Sequence, residues 1–321
     1  MADNIELLIQ AGSRIQQCVV EEGVVWETQR RKAPGKLTFT VLKDEALGFQ
    51  EGNPVSFKYK GNKIFYGFVF TKERDSNEKI KVTAYDQLRY FKNKETYVYS
   101  NKTATALLKM IIADFRLSYG SADDTKYRII SKVEENKELF EVMQNALDET
   151  TASTGEIYVL YDLFGGLVLN NIKDMRLDLL IDEETGQGFK YSSSIDSETY
   201  NKIKLVYENK ESGKREVYIA QDSNNQNNWG VLQYFETIQE STNGKLKAEI
   251  LLKQYNKKTR KLTIDKAFGD VRVRGGSSLP VALYLGDVSV ANYMIVESVK
   301  HTFNESNHTM DLNLIGGEFI A

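Results

Sequence analysis

The sequence is poor in residues that disulfide scaffolds and metal sites depend on. Its 321 residues include one cysteine, two histidines and three prolines. Cys18 has no partner for an internal disulfide bond, which is consistent with folding in a reducing compartment. His301 and His308 flank the last predicted hairpin turn, and they fall short of the three or four convergent ligands of a zinc site. We therefore predict no metal and no other cofactor, and expect two ordinary strand-end residues.

Signals for export and for membranes are missing as well. The first four residues lack the basic and apolar regions of a signal peptide, and no apolar run reaches the ~18 residues of a membrane span. We expect assembly in a cytoplasm and no membrane insertion. With 42 basic and 45 acidic residues the formal net charge is −3, which gives the whole chain no general attraction for nucleic acid or anionic lipid.

The common catalytic motifs are also absent, including the nucleophile elbow, the Walker loop, the dinucleotide fingerprint, His-Glu-x-x-His and Cys-x-x-Cys. Adjacent carboxylates occur at Asp123-Asp124, Glu134-Glu135 and Glu183-Glu184. A glycosidase needs two carboxylates facing each other ~5 to 9.5 Å apart, whereas adjacent acidic residues in polar loops are usually solvated. The sequence predicts a protein that is not an enzyme, with no catalytic residue.

Aromatic residues are plentiful, with 18 tyrosines and 15 phenylalanines, and such side chains favour sheets. Two stretches repeat one pattern: a turn ending in Pro-Val, a Tyr-x-Gly turn, an apolar strand, a polar turn and a last strand. The two copies occupy residues 52–85 and 279–315. Pro54 and Val69 are 15 residues apart, as are Pro280 and Ile295. The pattern predicts two copies of one small β-barrel; the alternative is a chance match, because hairpins share turn residues.

The order of the predicted elements suggests a mainly β protein with three domains. Residues 1–93 are predicted as a first β-barrel with strands at 5–10, 16–20, 24–28 and 36–41 before the hairpin. Residues 94–175 are predicted as an α+β insert, with helices at 104–115 and 137–149 and a hairpin at 156–170. Thr103 is the predicted N-cap of the first helix, and Gly120 is expected beyond its end. Residues 176–321 are predicted as a second β-barrel with an embedded helix at 245–255, a loop at 222–228 and a strand at 271–273.

Two features indicate surfaces for partners. Residues 245–274 include ten basic and three acidic residues, among them Lys257, Lys258 and Arg260, and such a patch suits an acidic partner surface or a passing nucleic-acid backbone. A solvated helix face is the alternative. The strands around Phe68 and Ile295 are the other candidates. The run 64–70 places Phe65 on one strand face and Tyr66, Phe68 and Phe70 on the other, and we expect Phe68 in a core or a subunit interface.

Several segments resemble the XkdQ family of PBSX-type contractile tails. Near the first copy they are YDQLRYFKNK at 85–94, TYVY at 96–99 and NKTA at 101–104. Near the second copy they are RVRGGS at 272–277, MIVESVKH at 294–301 and HTMDL at 308–312. The resemblance extends over nearly the whole chain. The family is in turn similar to late control D and hub proteins of contractile phage baseplates.

The resemblance implies a structural hub of a contractile phage tail or a tail-derived bacteriocin. Such a hub is a trimer whose two barrels per chain form a ring of nearly sixfold symmetry, joining a hexameric tail tube to a trimeric spike. Expected partners are the other copies, the spike, the tube and other baseplate proteins, with DNA passing through without specific binding. The expected final location is the virion or tail-like particle. Alternatives are a peptidoglycan-acting or saccharide-binding tail-tip protein and a single-stranded nucleic-acid binder.

Overall fold

The structure is a computed structural model that describes residues 4–21, 23–42, 48–74, 76, 79–196, 198–209, 213–238, 242–284 and 289–316, with only the backbone of residues 289 and 290. The described fold is mainly β, and its largest element is a sheet of twelve strands. No described helix is long and apolar enough to cross a membrane.

The first part of the chain forms seven strands of the large sheet. They are β1 (Ile5–Ala11), β2 (Arg14–Gln17), β3 (Val24–Gln29), β4 (Lys36–Leu42), β5 (Pro54–Tyr59), β6 (Asn62–Arg74) and β7 (Lys79–Tyr85). Their order across the sheet is β2-β1-β5-β6-β7-β4-β3. Buried residues alternate along these strands, so one face packs into a core that includes Leu7, Phe39 and Phe57.

The middle of the chain combines two helices with two small sheets. Its elements are β8 (Lys94–Lys102), α1 (Ala104–Asp114), β9 (Tyr119–Ala122), β10 (Ile129–Glu138), α2 (Leu139–Thr154), β11 (Tyr158–Asp162) and β12 (Leu167–Asn171). β8 and β10 form a two-stranded sheet, and β12 lies between β11 and β9 in the other. Leu107, Leu108 and Ile111 of α1 and Val142 of α2 are buried in their common core.

Both ends of α1 agree with the sequence prediction. The Thr103 side chain accepts a hydrogen bond from the Ala106 backbone N–H, as an N-cap does. The helix ends at Phe115, and Gly120 lies in β9. A Cβ at Gly120 would come within 3.0 Å of the Leu167 carbonyl oxygen, so this glycine allows the close pairing of β9 with β12.

The last part of the chain returns to the large sheet and adds a smaller one. Its elements are β13 (Gly188–Ser194), β14 (Lys202–Glu208), β15 (Arg215–Gln221), α3 (Ser223–Trp229), β16 (Gln233–Thr237), α4 (Gly244–Tyr255), β17 (Thr259–Phe268), β18 (Ser278–Tyr284), β19 (Ser289–Phe303) and β20 (His308–Ile315). The embedded helix is therefore present as α4, but it belongs to a larger insertion in which α4 packs on a separate β15-β14-β16 sheet.

One strand order occurs twice in the large sheet. In the first part β5-β6-β7-β4-β3 are neighbours, and in the last part β18-β19-β20-β17-β13 are neighbours, all antiparallel. The long central strand of each set shifts register against the next strand, between Val69 and Thr71 in β6 and between Val296 and Ser298 in β19. We call these two sets the first and second β units.

The two β units are joined by direct strand pairing. The first half of β19 pairs with β18, and its second half pairs with β3 on the same edge, with His301 opposite Trp26. Phe303 at the end of β19 lies in the first core, 5.1 Å from the ring of Phe57 and 5.0 Å from that of Tyr59. The pairing covers a sheet edge that would otherwise be exposed.

Two predicted elements were wrong. Residues 222–228 were predicted as a polar loop, but they form the N-cap and most of α3. The Asp222 side chain caps this helix by accepting a hydrogen bond from the Asn225 N–H. Residues 271–273 were predicted as a strand, but they form a turn in which the Val273 N–H donates to the Asp270 carbonyl. The predicted turns at 74–77 and 284–286 lie partly outside the described residues.

Candidate partner interfaces

A basic cleft lies where the β3–β4 turn meets the insertion of the second β unit. The cavity has a volume of about 440 Å³. Six of its lining residues are basic and one, Glu198, is acidic; the basic residues are Arg30, Arg31, Lys257, Lys258, Arg260 and Lys261. The structure thus brings the three predicted basic residues together in one concave surface, and it adds two arginines from the opposite β unit that the sequence did not indicate.

The charges of the cleft differ in how they are neutralised. Arg30 is bound to Glu297, with its Nε 2.7 Å from the carboxylate, and burial lowers the pKa of this arginine. Arg31 lies 3.9 Å from Asp148. Within the part of the chain that the structure describes, Lys258, Arg260 and Lys261 make no ion pair. Positive charge therefore accumulates on the side of the cleft formed by the start of β17.

The cleft also has an apolar wall. Ile157, Trp229, Tyr255 and Ile315 line it. The ring of Tyr255 stacks on that of Tyr234 at 5.8 Å and meets the edge of Tyr200 at 5.6 Å. Because its neighbours fix it, Tyr255 offers a preformed surface to a ligand.

A polar junction holds the three parts of the chain together near this cleft. Arg274, from the loop before β18, donates to the Asp162 backbone carbonyl at 3.0 Å. Its guanidinium lies 4.5 Å from the Tyr161 ring and 5.5 Å from the Trp26 ring. One side chain of the second β unit therefore contacts both the middle part and the first β unit.

Two buried carboxylates complete the junction. Asp86 accepts from the Gly35 and Leu88 N–H groups, and Asp162 accepts from the Gly165 N–H and the Gln87 side chain. Burial is the main cause of a raised pKa for both carboxyls, and for Asp86 the nearby Asp162 raises it further, while Arg274 opposes the shift. The cavity beside them has about 20 Å³, enough for a single water and too small for a substrate. We interpret the network as structural.

The sequence suggested that the two histidines are ordinary strand-end residues, and the structure shows that they are not. Phe303 pairs with His308 and His301 with Met310, as predicted. The side chains nevertheless meet, with Nδ1 of His301 2.9 Å from Nε2 of His308, and Nε2 of His301 lies 2.9 Å from the Val273 carbonyl. Because a carbonyl only accepts, His301 carries its proton on Nε2 and its Nδ1 accepts from His308. Burial lowers the pKa of His301 to about 3 and that of His308 to about 4.

The aromatic strip on the outer face of the first β unit contains Phe68. We define this strip as Tyr66, Phe68, Phe70, Tyr85 and Tyr90, all half-buried. Phe65 points to the opposite face, as predicted, and is buried in the core. The rings of the strip contact one another at centroid distances of 5.5 to 6.3 Å. Phe68 is thus partly accessible and lies outside the core.

Ile295 does not face the surface. Its side chain is 1% exposed and packs with Val159, Ile172 and Met175 of the middle part. Strand β19 is flanked by β18 and β20 at this point, so both of its edges are already paired. The candidate contact at Ile295 is therefore within the chain, between the second β unit and the middle part.

The carboxylates considered for catalysis make local structural contacts. Asp123 accepts from the Asn171 N–H, Glu134 from the Asn145 side chain, and Glu183 from the Tyr284 N–H. Among the described residues, no group of three or more His, Cys, Asp or Glu side chains is placed to hold a metal ion.

Solved structures with this fold come from phage tails and related machines. A 43 kDa tail protein of prophage MuSo2 from Shewanella oneidensis superposes with a TM-score of 0.69 over 96% of this chain and 98% of its own, at 12% identity. An Escherichia coli component of the type VI secretion system, described as similar to the T4 tail proteins gp27 and gp5, gives 0.60 over 98% of this chain and 77% of its own, at 11% identity. At such identities the likeness concerns the fold, which these proteins share with the chain.

Sequence similarity gives the family. Residues 24–315 match the YqbQ-like family, and the chain belongs to it. Two relatives come from Bacillus subtilis strain 168: the protein YqbQ is 32% identical over 309 residues, and the phage-like element PBSX protein XkdQ is 30% identical over 309 residues. The alignments cover 92% of this chain, with 92% of YqbQ and 93% of XkdQ. The resemblance to XkdQ noted from the residues is confirmed, and the fold of the chain is shared with phage tail proteins.

Proposed function

We propose that this protein is the structural hub of a contractile phage tail or tail-derived bacteriocin baseplate. In this proposal three chains form a ring that joins the tail tube to the central spike. The observation that carries it is the strand order shared by the two β units. Three chains with two similar units each present six similar surfaces to a hexameric tube, while the rest of each chain keeps threefold symmetry for a trimeric spike.

The domain division and the barrels are part of this proposal. We propose that residues 1–93 and 176–321 each close into a small barrel and that residues 94–175 form the insert between them. Closure of the first is supported by the segment after β2, where the Glu21 N–H donates to the Thr40 carbonyl of β4 and the Leu42 N–H donates to Val19. These bonds link β4 to the segment that directly follows β2, the strand at the far end of this part of the sheet.

We assign the aromatic strip, through Phe68, to contacts between chains or with the tube. Half-buried aromatic residues suit an interface core because they bury a large area with little loss of side-chain freedom. Lys257, Lys258 and Arg260 are assigned to a second contact, with an acidic surface of a baseplate protein.

The spike is the proposed partner below the ring. The type VI component that shares this fold is described as resembling both gp27 and gp5. Assembly is proposed to occur in the bacterial cytoplasm, with the protein ending in the virion or tail-like particle. The role is proposed to be non-enzymatic, so a zymogram on purified cell walls should show no lytic band; a clear band would favour a peptidoglycan-acting protein.

Co-purification with the spike protein encoded nearby tests the proposal. Native mass spectrometry of the complex should give three copies of this chain for three of the spike. A complex with one or six copies of this chain per spike trimer would contradict the ring, and failure of the two proteins to associate at all would contradict the hub.

A further inference from the structure

The basic cleft has a composition that the ring geometry does not explain. Lys258, Arg260 and Lys261 make no ion pair within the described residues, although the chain as a whole carries more acidic than basic residues. Some lysines elsewhere are paired, as Lys247 is with Glu236 and Lys132 with Glu149. The cleft differs in that six basic residues and one acidic residue line a single concave surface. Like charges held close together repel one another, so an anionic ligand would relieve an unfavourable arrangement.

The apolar wall restricts the kind of anion. A free inorganic anion or a lone carboxylate would gain no binding free energy from the apolar wall, because it has no apolar surface to bury there. A ligand that carries both negative charge and an apolar side chain would use both sides of the cleft, because burying apolar area adds to affinity while charge fixes orientation.

Shape and ring contacts favour a peptide over a nucleic acid. Single-stranded nucleic acid is bound along a groove that follows several nucleotides, with bases stacked on free aromatic faces. Here the volume of about 440 Å³ accommodates a few side chains and is too small for a run of several nucleotides. The formal net charge of −3 also opposes the approach of a long polyanion.

We propose that the basic cleft binds a short acidic segment of a partner protein in which carboxylates flank an aromatic or aliphatic side chain. The carboxylates contact Lys258, Arg260 and Lys261, and the apolar side chain lies against Trp229 and Tyr255. The inference does not require the ring, because all of these residues belong to one chain. The site rests on the contact with an acidic baseplate surface proposed above for Lys258 and Arg260. Failure of the peptide to bind would remove that contact and leave the proposed ring untouched, and failure of the ring would leave this site intact.

The test uses the full chain and a fluorescein-labelled peptide of sequence Glu-Asp-Phe-Glu-Asp-Leu. Fluorescence anisotropy at about 0.15 M salt should show saturable binding. Replacing the four acidic residues by Gln and Asn should weaken binding by at least about tenfold, since the charge contacts are lost. Trp229 gives a second signal: its emission should change on binding, and the Trp229→Phe variant should lose that change.

Charge reversal locates the site. Lys258→Glu/Lys261→Glu should weaken binding of the acidic peptide by at least about tenfold. The control Arg14→Glu/Lys92→Glu changes two exposed basic residues outside the cleft and alters the net charge by the same amount. Its affinity for the acidic peptide should stay within about twofold of that of the original protein. Circular dichroism confirms that both variants are folded.

Three results would overturn the proposal. The first is no saturable peptide binding up to about 1 mM. The second is equal loss of binding in the cleft variant and the control, which would indicate attraction to charge in general. The third is binding of an oligothymidylate of about twelve nucleotides, but not of the peptide, which would assign the cleft to nucleic acid.

Discussion

At the scale of residues, the centre of the molecule is held by polar groups that come from distant parts of the chain. Arg274 contacts the Tyr161 and Trp26 rings and the Asp162 carbonyl, while the Asp86 and Asp162 carboxylates are satisfied mainly by backbone N–H groups. A half-satisfied buried network is less stable than an apolar core, so each member of this network is sensitive to substitution.

We expect Arg274→Ala to destabilise the fold by about 3 kcal/mol, because it leaves buried carboxylates near one another without a cation. Urea denaturation followed by circular dichroism measures the change. Arg272→Ala is the matched control: Arg272 is exposed and pairs with Asp270 and Asp178, and its loss should stay below about 1 kcal/mol. Equal effects of the two substitutions would mean that Arg274 has no special role.

The histidine pair predicts a dependence of stability on pH. The folded pKa values of about 3 and 4 lie below the ordinary value of 6.5, so the stabilisation is present above pH 6.5 and is lost as the pH falls toward 4. Asp270 favours the charged form of both histidines, whereas Lys60 opposes charge on His308 and Arg274 opposes charge on His301.

Between pH 6 and 5, each histidine should contribute a loss of about 1.4 kcal/mol per pH unit. His301→Leu removes one of the two titrating groups, so its unfolding free energy should fall less steeply by about that amount. Denaturant titrations at the two pH values give the slopes. Identical slopes for the variant and the original protein would show that His301 is not held neutral.

At the scale of elements, β19 connects the whole fold. Its first half completes the second β unit with β18, its second half pairs with β3, and β20 lies along its other edge. The equivalent strand, β6, is also the longest of its unit and also shifts register against the next strand. A strand longer than its partners can belong to two neighbouring units at once.

We expect Gly67→Ala to disturb β6 strongly. A Cβ there would lie 2.2 Å from the Tyr85 carbonyl oxygen and 2.6 Å from the Phe65 ring, so β7 would have to move. The expected loss of stability is about 2 to 3 kcal/mol in thermal or urea denaturation. At Gly48 a Cβ would meet nothing within 4 Å, so Gly48→Ala should change stability by less than about 0.5 kcal/mol. A Gly67→Ala protein as stable as this control would contradict the close approach.

The elements that the sequence predicted are those whose pattern is local. The hairpins follow alternating apolar residues, and α1 follows a Thr cap and an apolar stripe. Helix α3 was missed because an Asn-rich segment is typical of loops. It is fixed from outside, by the Asn225 side chain donating to Asn256 and by Asn256 donating to the Asp222 carboxylate.

The parts of the basic cleft and of the polar junction that the sequence did not predict depend on contacts between residues far apart in the chain. Lys257, Lys258 and Arg260 are close in sequence and were found, whereas Arg30 and Arg31 reach the same cleft only through the β3–β19 pairing. The junction of Asp86, Asp162 and Arg274 has no sequence spacing that would reveal it. Ile295 was placed by analogy with the first copy, where the middle part contacts β6 through Tyr66 and Phe164 and leaves Phe68 half-buried. The domain boundaries stay a prediction.

At the scale of the whole molecule, substitutions on the interface surfaces should impair assembly without changing the fold of the single chain. We expect Phe68→Asp to fold, because Phe68 is half-buried on the outer face, and to weaken ring formation by more than about tenfold, because a charge would enter the interface. Co-purification with the spike, followed by native mass spectrometry, measures the assembled fraction.

Val133→Asp supplies the comparison for that experiment. Val133 is 63% exposed on the two-stranded β8–β10 sheet, away from the aromatic strip, and its change should leave assembly within about twofold. Full assembly of the Phe68→Asp protein would remove the strip from the proposed interface.

The central claim is that two β units in each of three chains imitate six copies of one unit. Electron cryomicroscopy of the complex with the spike tests it most directly. The account predicts three chains whose six β units lie at nearly equal angles around the axis, with threefold symmetry elsewhere. Six chains in the ring, or three chains in which only one β unit of each faces the axis, would contradict it.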